Sequence, residues 1–392
     1  MIIPLANRAK QAQEYYFSIK LAEVRQLQAA GHDVINLGIG NPDMMPSEAT
    51  FAKLAEVSRQ PGSHGYQSYK GVPAFRQAIA AFYQRTYGVT LDPETELLPL
   101  IGSKEGITHL SLTYLNQGDA VLVPELGYPA YRAVSQMVGA TVTEYALLEH
   151  ANWQPDWHQL AHQLTDRTRI MWLNYPHMPT GAPATVALFE RAVRFAHDHR
   201  LLLCHDNPYS LVLNKHAPIS LLAIDGAKEV AVELNSMSKS HNMAGWRVGW
   251  LAAAKPYIDA VLTIKSNVDS GTFLAVQLAA AEALANPDAW HTARNAVYQG
   301  RLEAAYALLD ALGCTYARNQ EGLFLWAKLP PAVATAEGLV NDLLTQKHIF
   351  VAPGFIFGPK GNRYIRVSLC MPKERIWAAV ERVTGQSSTY LS

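Results

Sequence analysis

Short apolar runs alternate with longer amphipathic stretches along the first two thirds of the chain. The apolar runs predict buried β-strands, and the amphipathic stretches, such as residues 129–138 and 185–199, predict helices. The predicted strands are residues 119–124, 169–174, 201–206, 230–235 and 248–254. Strands that are apolar on both sides and separated by helices are typical of a parallel sheet covered on both faces. The pattern therefore predicts an α/β fold.

Polar residues stand at the ends of three predicted strands. These residues are Asn174, Asp206 and Asn235. Ligands of open α/β sheets bind beyond the carboxyl ends of the strands. We therefore expect the functional site at this edge of the sheet.

The last third of the chain has a different pattern. Residues 294–312 predict a long helix, and residues 322–329 and 364–369 predict strands of a smaller sheet. From this change we predict a large domain over residues 46–284. A small α+β domain would be formed by residues 1–45 together with residues 285–392.

Composition narrows the functional classes. The 392 residues include 33 Lys+Arg and 33 Asp+Glu, so the formal net charge is zero and no nucleic-acid or anionic-membrane partner is expected. The three cysteines form no CxxC pair, which argues against a disulfide framework or a zinc site. We see no signal peptide and no apolar window of membrane-spanning length, and we expect a cytoplasmic protein. A small-molecule site remains.

The segment around Lys239 points to a particular chemistry. A lone lysine is most simply interpreted as a surface residue. Here Ser236, Ser238 and Arg247 supply hydroxyl and guanidinium donors that suit a phosphate beside the lysine. A lysine that forms a Schiff base with an aldehyde next to a phosphate indicates pyridoxal 5′-phosphate.

That cofactor requires further groups, and the strand ends provide candidates. Asp206 could pair with the ring nitrogen, although a turn aspartate is an equally simple interpretation. Tyr209 and Asn174 could donate hydrogen bonds to the phenolic oxygen. Ser103, predicted as the N-cap of a helix, would direct free N–H groups at the phosphate, but an ordinary capped helix fits as well. Tyr128 could stack on the ring or simply pack in the core.

The motifs resemble those of class I/II aminotransferases, fold-type I enzymes that depend on pyridoxal phosphate. The branch most similar in appearance contains LL-diaminopimelate, alanine and methionine aminotransferases. The matching segments are INLGIGNPD (35–43), GYQSYKGVPAFRQAIA (65–80), NYPHMPTG (174–181), HDNPYS (205–210), SMSKSHNMAGWRVG (236–249), PGFIFGPKG (353–361) and YIRVS (364–368). The resemblance implies a large domain with a mostly parallel seven-stranded sheet between helices, plus a small α+β domain.

The resemblance also implies roles for individual residues. Lys239 would form the internal aldimine and move the proton between the substrate α-carbon and the cofactor. Arg366 would bind the substrate α-carboxylate, helped by Asn174 and by backbone at Gly40. The implied cofactor-binding set is Ser103 and Lys104 through their backbone, Tyr128, Asn174, Asp206, Tyr209, Ser236, Ser238, Lys239 and Arg247, with Asp206 and Tyr209 also assisting catalysis. Tyr66 would reach the partner subunit's phosphate, with Tyr69 as a second candidate, so a homodimer with a shared active site is implied.

The implied function is transfer of the amino group of an L-α-amino acid to a 2-oxo acid, with 2-oxoglutarate as the expected acceptor, by a ping-pong mechanism. A carbon–sulfur β-lyase would use the same residues and is the alternative. A non-enzymatic regulator with this fold is less favoured, because no DNA-binding segment is predicted before residue 35.

Several residues bear on the substrate without deciding it. Lys265, from this chain or from the partner subunit, could bind a second carboxylate, whereas residues 15–17 (Tyr15, Tyr16 and Phe17) could cover the site and favour an apolar or aromatic side chain. His177 stands where the family often has asparagine, and we favour a structural role for it. His197, His199 and His205 do not form a coordinating set, so no metal site is expected.

Overall fold

The computed structural model describes residues 3–11 and 16–385. The strands in these ranges are β1 (Ile35–Asn36), β2 (Leu97–Leu100), β3 (Ala120–Pro124), β4 (Thr141–Tyr145), β5 (Leu147–Leu148), β6 (Gln154–Pro155), β7 (Thr168–Leu173), β8 (Leu202–Asp206), β9 (Ala231–Ser236), β10 (Gly249–Ala253), β11 (Thr315–Tyr316), β12 (Phe324–Lys328), β13 (Ile349–Phe350), β14 (Ala352–Pro353) and β15 (Tyr364–Ser368).

The helices surround these strands. They are α1 (Asn7–Gln11), α2 (Tyr16–Ala29), α3 (Glu48–Ser58), α4 (Pro73–Tyr87), α5 (Ser103–Tyr114), α6 (Pro129–Met137), α7 (Trp157–His162), α8 (Val186–His199), α9 (Ala227–Val230), α10 (Met237–Ser240), α11 (Lys255–Lys265), α12 (Leu274–Leu284), α13 (Asp288–Ala311), α14 (Ala336–Lys347) and α15 (Lys373–Thr384). Short 3₁₀ helices lie at Glu149–Ala151, Leu221–Ala223, Ala244–Trp246, Gly354–Phe357 and Pro359–Arg363.

A seven-stranded sheet forms the centre of the molecule, in the order β2-β10-β9-β8-β7-β3-β4. Strand β10 is antiparallel to both of its neighbours, and the remaining strands run parallel. The prediction of a mostly parallel sheet is therefore confirmed. Because β10 runs the other way, its first residue lies at the edge where the parallel strands end, and Gly249 is paired with both Leu100 and Ser236.

Side chains alternate between the two faces of this sheet, as strand geometry requires. In β7, Ile170 and Trp172 pack with residues of α5, α6 and α11, whereas Met171 and Leu173 face the core shared with α8 and the C-terminal sheet. Burial on both faces explains why these strands are continuously apolar in sequence.

A second, four-stranded sheet has the order β11-β12-β15-β14 and is antiparallel throughout. Arg366 lies in its inner strand β15, opposite Trp326 on one side and Ala352 on the other. The N-terminal strand β1 pairs in parallel with β13, so the first part of the chain packs with the last. The division into two domains remains a prediction.

Most predicted strands and helices begin and end within two residues of the observed ones, and two helix starts differ in a way that matters. The long helix α13 begins at Asp288, earlier than the predicted residue 294. The predicted N-cap Ser103 is the first residue of α5, and Gly102 is the cap, with φ 99°. A positive φ favours glycine, and a Cβ at this position would lie 2.2 Å from Nη2 of Arg247. Serine could not take the cap position without displacing this arginine.

Candidate active site

A cavity of about 380 Å³ lies where the carboxyl edge of the large sheet faces β15. Its lining brings together residues from opposite ends of the chain, including Gly40 and Arg366. The predicted site residues that line it are Gly40, Ser103, Lys104, Tyr128, Asn174, Asp206, Tyr209, Ser236, Ser238, Lys239, Arg247 and Arg366. The remaining predicted residue, Tyr66, is 95 % exposed and lies outside the cavity.

Lys239 is presented to the cavity by the short helix α10. The Ser236 hydroxyl caps this helix by accepting a hydrogen bond from the Ser238 N–H (3.2 Å). The Lys239 ammonium donates to the carbonyl of Gly40. Burial, together with the charges of Arg366 and Arg247, lowers the pKa of Lys239 to about 8. The site therefore makes the neutral, nucleophilic amine accessible near physiological pH.

Asp206, at the end of β8, is a buried carboxylate. Burial raises its pKa to about 6, against the opposing effect of the hydrogen bond that the Tyr131 hydroxyl donates to Oδ2 (2.8 Å). The Ser103 side chain also lowers this pKa, but among the described residues none is in hydrogen-bond geometry with Oδ1. A buried acceptor of this kind requires a donor to compensate for its lost hydration. The protonated ring nitrogen of pyridoxal phosphate is such a donor, and the residues thus fit this cofactor.

Tyr131 was missed in the sequence, although it stands in the same PELGYPAY segment as Tyr128. Its ring stacks on Trp172 (centroids 4.9 Å apart, planes 8° apart), and this stack holds the hydroxyl against Asp206. Tyr128 packs edge-on to Tyr131 (5.8 Å) while lining the cavity. The hydroxyl of the second tyrosine of the segment therefore contacts the carboxylate.

Asn174 and Tyr209 lie beside Asp206. The amide of Asn174 donates to the Asp206 carbonyl (2.7 Å), and its oxygen accepts from the Met178 N–H (2.9 Å). A side-chain amide has two N–H donors, so a second one is available to a ligand. Tyr209 packs edge-on to Phe324 (6.0 Å) and lines the cavity. Both predicted donors to the phenolic oxygen are thus positioned at one wall.

Hydroxyl and guanidinium donors converge at the other end of the cavity. The Ser236 hydroxyl donates to Ser238 Oγ (3.0 Å), and Arg247 Nη1 also donates to Ser238 Oγ (3.3 Å). The N-terminus of α5, at Gly102 and Ser103, faces the same arginine. Free backbone N–H groups, hydroxyls and a guanidinium together form a donor set that suits a phosphate.

Arg366 is 4 % exposed and is enclosed by aromatic rings. Its Cζ lies 3.7 Å from the ring centroid of Phe324 and 4.5 Å from that of Phe357. One Nη donates to the Gly38 carbonyl (2.8 Å), and the other lies 3.3 Å from Sδ of Met178. The guanidinium is held in one orientation, which suits a carboxylate ligand.

Lys265 does not line the cavity of its own subunit, and its role as a second substrate cation supplied by the partner subunit stays a prediction. Its ammonium is buried and lies 2.6 Å from Asp269 and 3.4 Å from Glu105. With His109, these two carboxylates form a group whose ligand atoms lie within 4.8 Å of one another. Lys265 already supplies positive charge there, so the arrangement is explained without a metal ion.

His177 is buried and makes two hydrogen bonds within the protein. Nδ1 lies 2.7 Å from the Thr180 hydroxyl, and Nε2 lies 3.1 Å from the Leu126 carbonyl. Burial lowers its pKa to about 3, so the ring is neutral. His177 does not line the cavity, which agrees with the structural role that we favoured.

The N-terminal cover is described from Tyr16 onward, and Tyr15 lies outside the described residues. Phe17 lines the cavity, with Cζ of Arg366 5.7 Å from its ring centroid. Tyr16 instead packs edge-on to Phe355 (5.1 Å) and does not line the cavity. Phe17 is therefore the residue of this segment that touches the substrate space.

In the described ranges, no helix has the length and apolar character needed to cross a membrane.

The fold and this constellation of lysine, aspartate and arginine define an amino-acid-handling enzyme of the α/β class. A family model described as "Aminotransferase class I and II" matches residues 32–383, so the chain belongs to this family. It is an aminotransferase of fold type I, and its cofactor is pyridoxal 5′-phosphate, as predicted.

Individual relatives agree over nearly the whole chain. An LL-diaminopimelate aminotransferase of Dehalococcoides mccartyi is 37 % identical over 98 % of this chain and 99 % of its own. The structure of BacF from Bacillus subtilis superposes with a TM-score of 0.94 at 34 % identity, covering 100 % of both chains. A Thermus thermophilus aspartate aminotransferase variant superposes with a TM-score of 0.90 at 25 % identity, covering 97 % of this chain and 99 % of its own. These similarities give no support to the lyase alternative.

Proposed function

We propose that the protein transfers the amino group of an L-α-amino acid to a 2-oxo acid, with 2-oxoglutarate as an acceptor, in a ping-pong reaction on the cofactor. The observation that carries the proposal is the meeting of Lys239, Asp206 and Arg366 around one cavity. These three side chains supply a nucleophilic amine, a partner for a ring nitrogen and a carboxylate receptor. A transamination needs all three within reach of one amino acid.

When bound, pyridoxal phosphate supplies a ring that accepts the electron pair left on the substrate α-carbon after loss of its proton. Asp206 would hold the ring by accepting its N–H at Oδ1, which would keep the ring nitrogen protonated. With a pKa of about 6, this carboxyl group is ionised in most molecules at neutral pH. Tyr131 holds the carboxylate in place from the opposite side, through Oδ2.

Lys239 is the proposed general base. Its Nζ would take the proton from the substrate α-carbon and hold it for the second half of the proton transfer. The lowered pKa suits this task, because the amine must be neutral before it can accept a proton. Arg366 fixes the α-carboxylate during this transfer, helped by Asn174 and the backbone at Gly40.

The remaining lining residues hold the cofactor in this proposal. Backbone N–H groups of Ser103 and Lys104, with Ser236, Ser238 and Arg247, bind the phosphate. Tyr128 stacks on the ring, and Tyr209 and Asn174 donate to the phenolic oxygen. Their positions around one cavity support these assignments.

We also propose a homodimer in which Tyr66 reaches the partner's phosphate. A 95 % exposed tyrosine, with Tyr69 nearby at 46 %, supports an interface at this loop. Mixing Lys239→Ala and Tyr66→Phe subunits tests the assignment. If the site is shared, mixed dimers contain one intact site and recover activity that neither parent has. Absence of recovery, with subunit exchange verified by native mass spectrometry, would contradict a shared site.

A cytoplasmic location is part of the proposal, supported by three buried cysteines that are free thiols. Structural disulfides are rare in reducing compartments, and unpaired buried thiols are common there. Cell fractionation with antibody detection measures the location directly. Recovery in an exported fraction would contradict the proposal.

The decisive experiment is a visible absorbance titration of the cofactor-loaded protein with single amino acids. A cofactor band that is lost on adding an amino acid and restored by 2-oxoglutarate would support transamination. Lys239→Ala should show no such cycle, whereas Lys53→Ala, which changes an exposed lysine paired with Glu56, should behave like the unmodified protein. An unchanged band with release of oxo acid and ammonia would instead indicate a lyase.

A further inference from the structure

The side-chain end of the cavity is apolar and aromatic. Beyond Arg366, the lining consists of Phe17 and Leu21 from α2, Ile39 from the segment after β1, and Phe324 and Phe357 from the C-terminal part. A substrate whose α-carboxylate binds Arg366 must place its side chain among these groups. On the basis of the proposed function, we infer that the amino donor carries an apolar side chain, aromatic or long aliphatic, rather than a second charged group.

Charged residues of the cavity are already assigned to other tasks. The cations in its described lining are Lys104, Lys239, Arg247 and Arg366, and Asp206 is the acid. Arg247 and Lys104 lie at the phosphate end with the start of α5, Lys239 and Asp206 serve the cofactor, and Arg366 serves the α-carboxylate. Within one subunit, a second carboxylate or ammonium on the substrate would therefore face aromatic rings.

Two nearby lysines outside the cavity, Lys20 and Lys265, are paired with other side chains. Lys20, on the same helix as Phe17, donates to Glu23 (2.7 Å) and to Asn341 (2.8 Å). Lys265 is paired with Asp269 and Glu105. Both ammonium groups have carboxylate partners already, so recruiting either one for a substrate would break an existing ion pair.

The rings are also fixed in place. Phe17 packs against Phe357 with centroids 6.4 Å apart, and Phe324 packs against Tyr209 at 6.0 Å. A Cβ on Gly40 would lie 2.1 Å from Cζ of Phe324, so the glycine permits the ring to approach the backbone. A rigid apolar wall of this kind favours an apolar side chain through burial and disfavours an unpaired charge through lost hydration.

A ping-pong enzyme must accept both substrates in this cavity. Ser18 is exposed and lines the cavity, so the side-chain end opens to solvent there. A distal carboxylate that stays hydrated near this opening gives up contacts with the apolar wall that an apolar 2-oxo acid would make. We therefore expect 2-oxoglutarate to serve as an acceptor with a higher KM than an apolar 2-oxo acid.

The first test uses unreactive ligands and the cofactor-loaded protein. Isothermal titration calorimetry should show that 3-phenylpropanoate binds at least about tenfold more tightly than succinate, because only the latter buries a second charge. Equal or tighter binding of succinate would overturn the inference, and it requires no turnover to detect.

The second test measures single-turnover rates of the cofactor band with phenylalanine, leucine, aspartate and LL-diaminopimelate. Phenylalanine or leucine should react with a kcat/KM about a hundredfold above that of aspartate. Faster reaction of aspartate or LL-diaminopimelate would refute the apolar class while leaving transamination intact. If no amino acid changes the band, the proposed function itself fails.

Phe17→Ala provides a residue-level test, with Ile19→Ala as the matched control on the exposed face of the same helix. Phe17→Ala should reduce kcat/KM for phenylalanine more than for aspartate and narrow the ratio between them. Ile19→Ala should leave the ratio unchanged. An unaltered ratio in a folded Phe17→Ala protein would contradict the assignment of this ring to substrate selectivity.

Discussion

Replacing Tyr131 with phenylalanine tests how the protein controls the charge of Asp206. The substitution removes one hydroxyl and keeps the ring that stacks on Trp172. The hydroxyl donates a 2.8 Å hydrogen bond to a buried carboxylate, and a bond to a charged group is worth about 1.5–3 kcal/mol. Its loss should raise the pKa of Asp206 by about 1 to 2, since each pKa unit corresponds to about 1.4 kcal/mol.

The direction of the activity change follows from the role of the carboxylate. Asp206 must be ionised to hold the ring proton, so activity is lost as pH falls through its pKa. In Tyr131→Phe, the acidic limb of the kcat/KM profile should move to higher pH by about 1 to 2 pH units. Stopped-flow measurement of the cofactor band between pH 5 and 9 gives this profile.

Tyr145→Phe is the matched control for this experiment. Its hydroxyl donates a buried hydrogen bond of 2.7 Å, but to the carbonyl of Trp172 rather than to Asp206. It should lose a similar amount of thermal stability without moving the acidic limb. Coincident limbs in Tyr131→Phe and the unmodified protein would refute the reasoning, and equal movement in both variants would show that a general structural effect causes it.

Three further predictions concern the cofactor and substrate ends of the site. Asp206→Asn should retain its fold by circular dichroism but lose activity by at least about a hundredfold, because an amide cannot keep the ring nitrogen protonated; near-normal rates would contradict the role of Asp206. Arg366→Lys loses the two-pronged carboxylate contact and should raise the amino-acid Kd about thirtyfold, equivalent to about 2 kcal/mol, in a titration of the cofactor band; an unchanged Kd would exclude Arg366 as the carboxylate receptor. Gly102→Ala should bind pyridoxal phosphate about tenfold more weakly in a fluorescence titration, because the new Cβ displaces Arg247 and because a φ of 99° is strained for alanine. Gly62→Ala is the control for backbone strain alone, since Gly62 has a φ of 84° and open space around it.

The part of the site that could be predicted from sequence lies mainly at the ends of strands. Asn174 and Asp206 follow or end the adjacent parallel strands β7 and β8, so a one-dimensional pattern already places them at one edge. The third predicted strand-end residue, Asn235, does not line the cavity, but its neighbour Ser236 does. Lys239 and Arg247 follow closely along the chain, and the antiparallel direction of β10 returns Arg247 to the same edge. Local sequence is informative here because the carboxyl ends of neighbouring parallel strands meet at one edge of the sheet.

The misses involve contacts between segments distant in sequence. Tyr131 acquires its position by stacking on Trp172, which belongs to another strand, and no spacing rule predicts that pair. The ion pair between Lys265 and Glu105 was not predicted, because the fold brings these distant residues together. Gly102 became the cap because Arg247 occupies the space that a side chain would need. Each of these outcomes depends on tertiary packing, which overrides local preference.

Burial acts on Lys239 and Asp206 in opposite directions. It lowers the pKa of the amine to about 8 and raises that of the carboxyl to about 6, since each charge loses hydration when it leaves water. A cofactor that bonds to the amine and donates a hydrogen bond to the carboxylate would relieve both penalties at once. The groups that burial penalises are the ones that would bind this cofactor, so binding should raise the thermal stability of the protein, and more so at higher cofactor concentration.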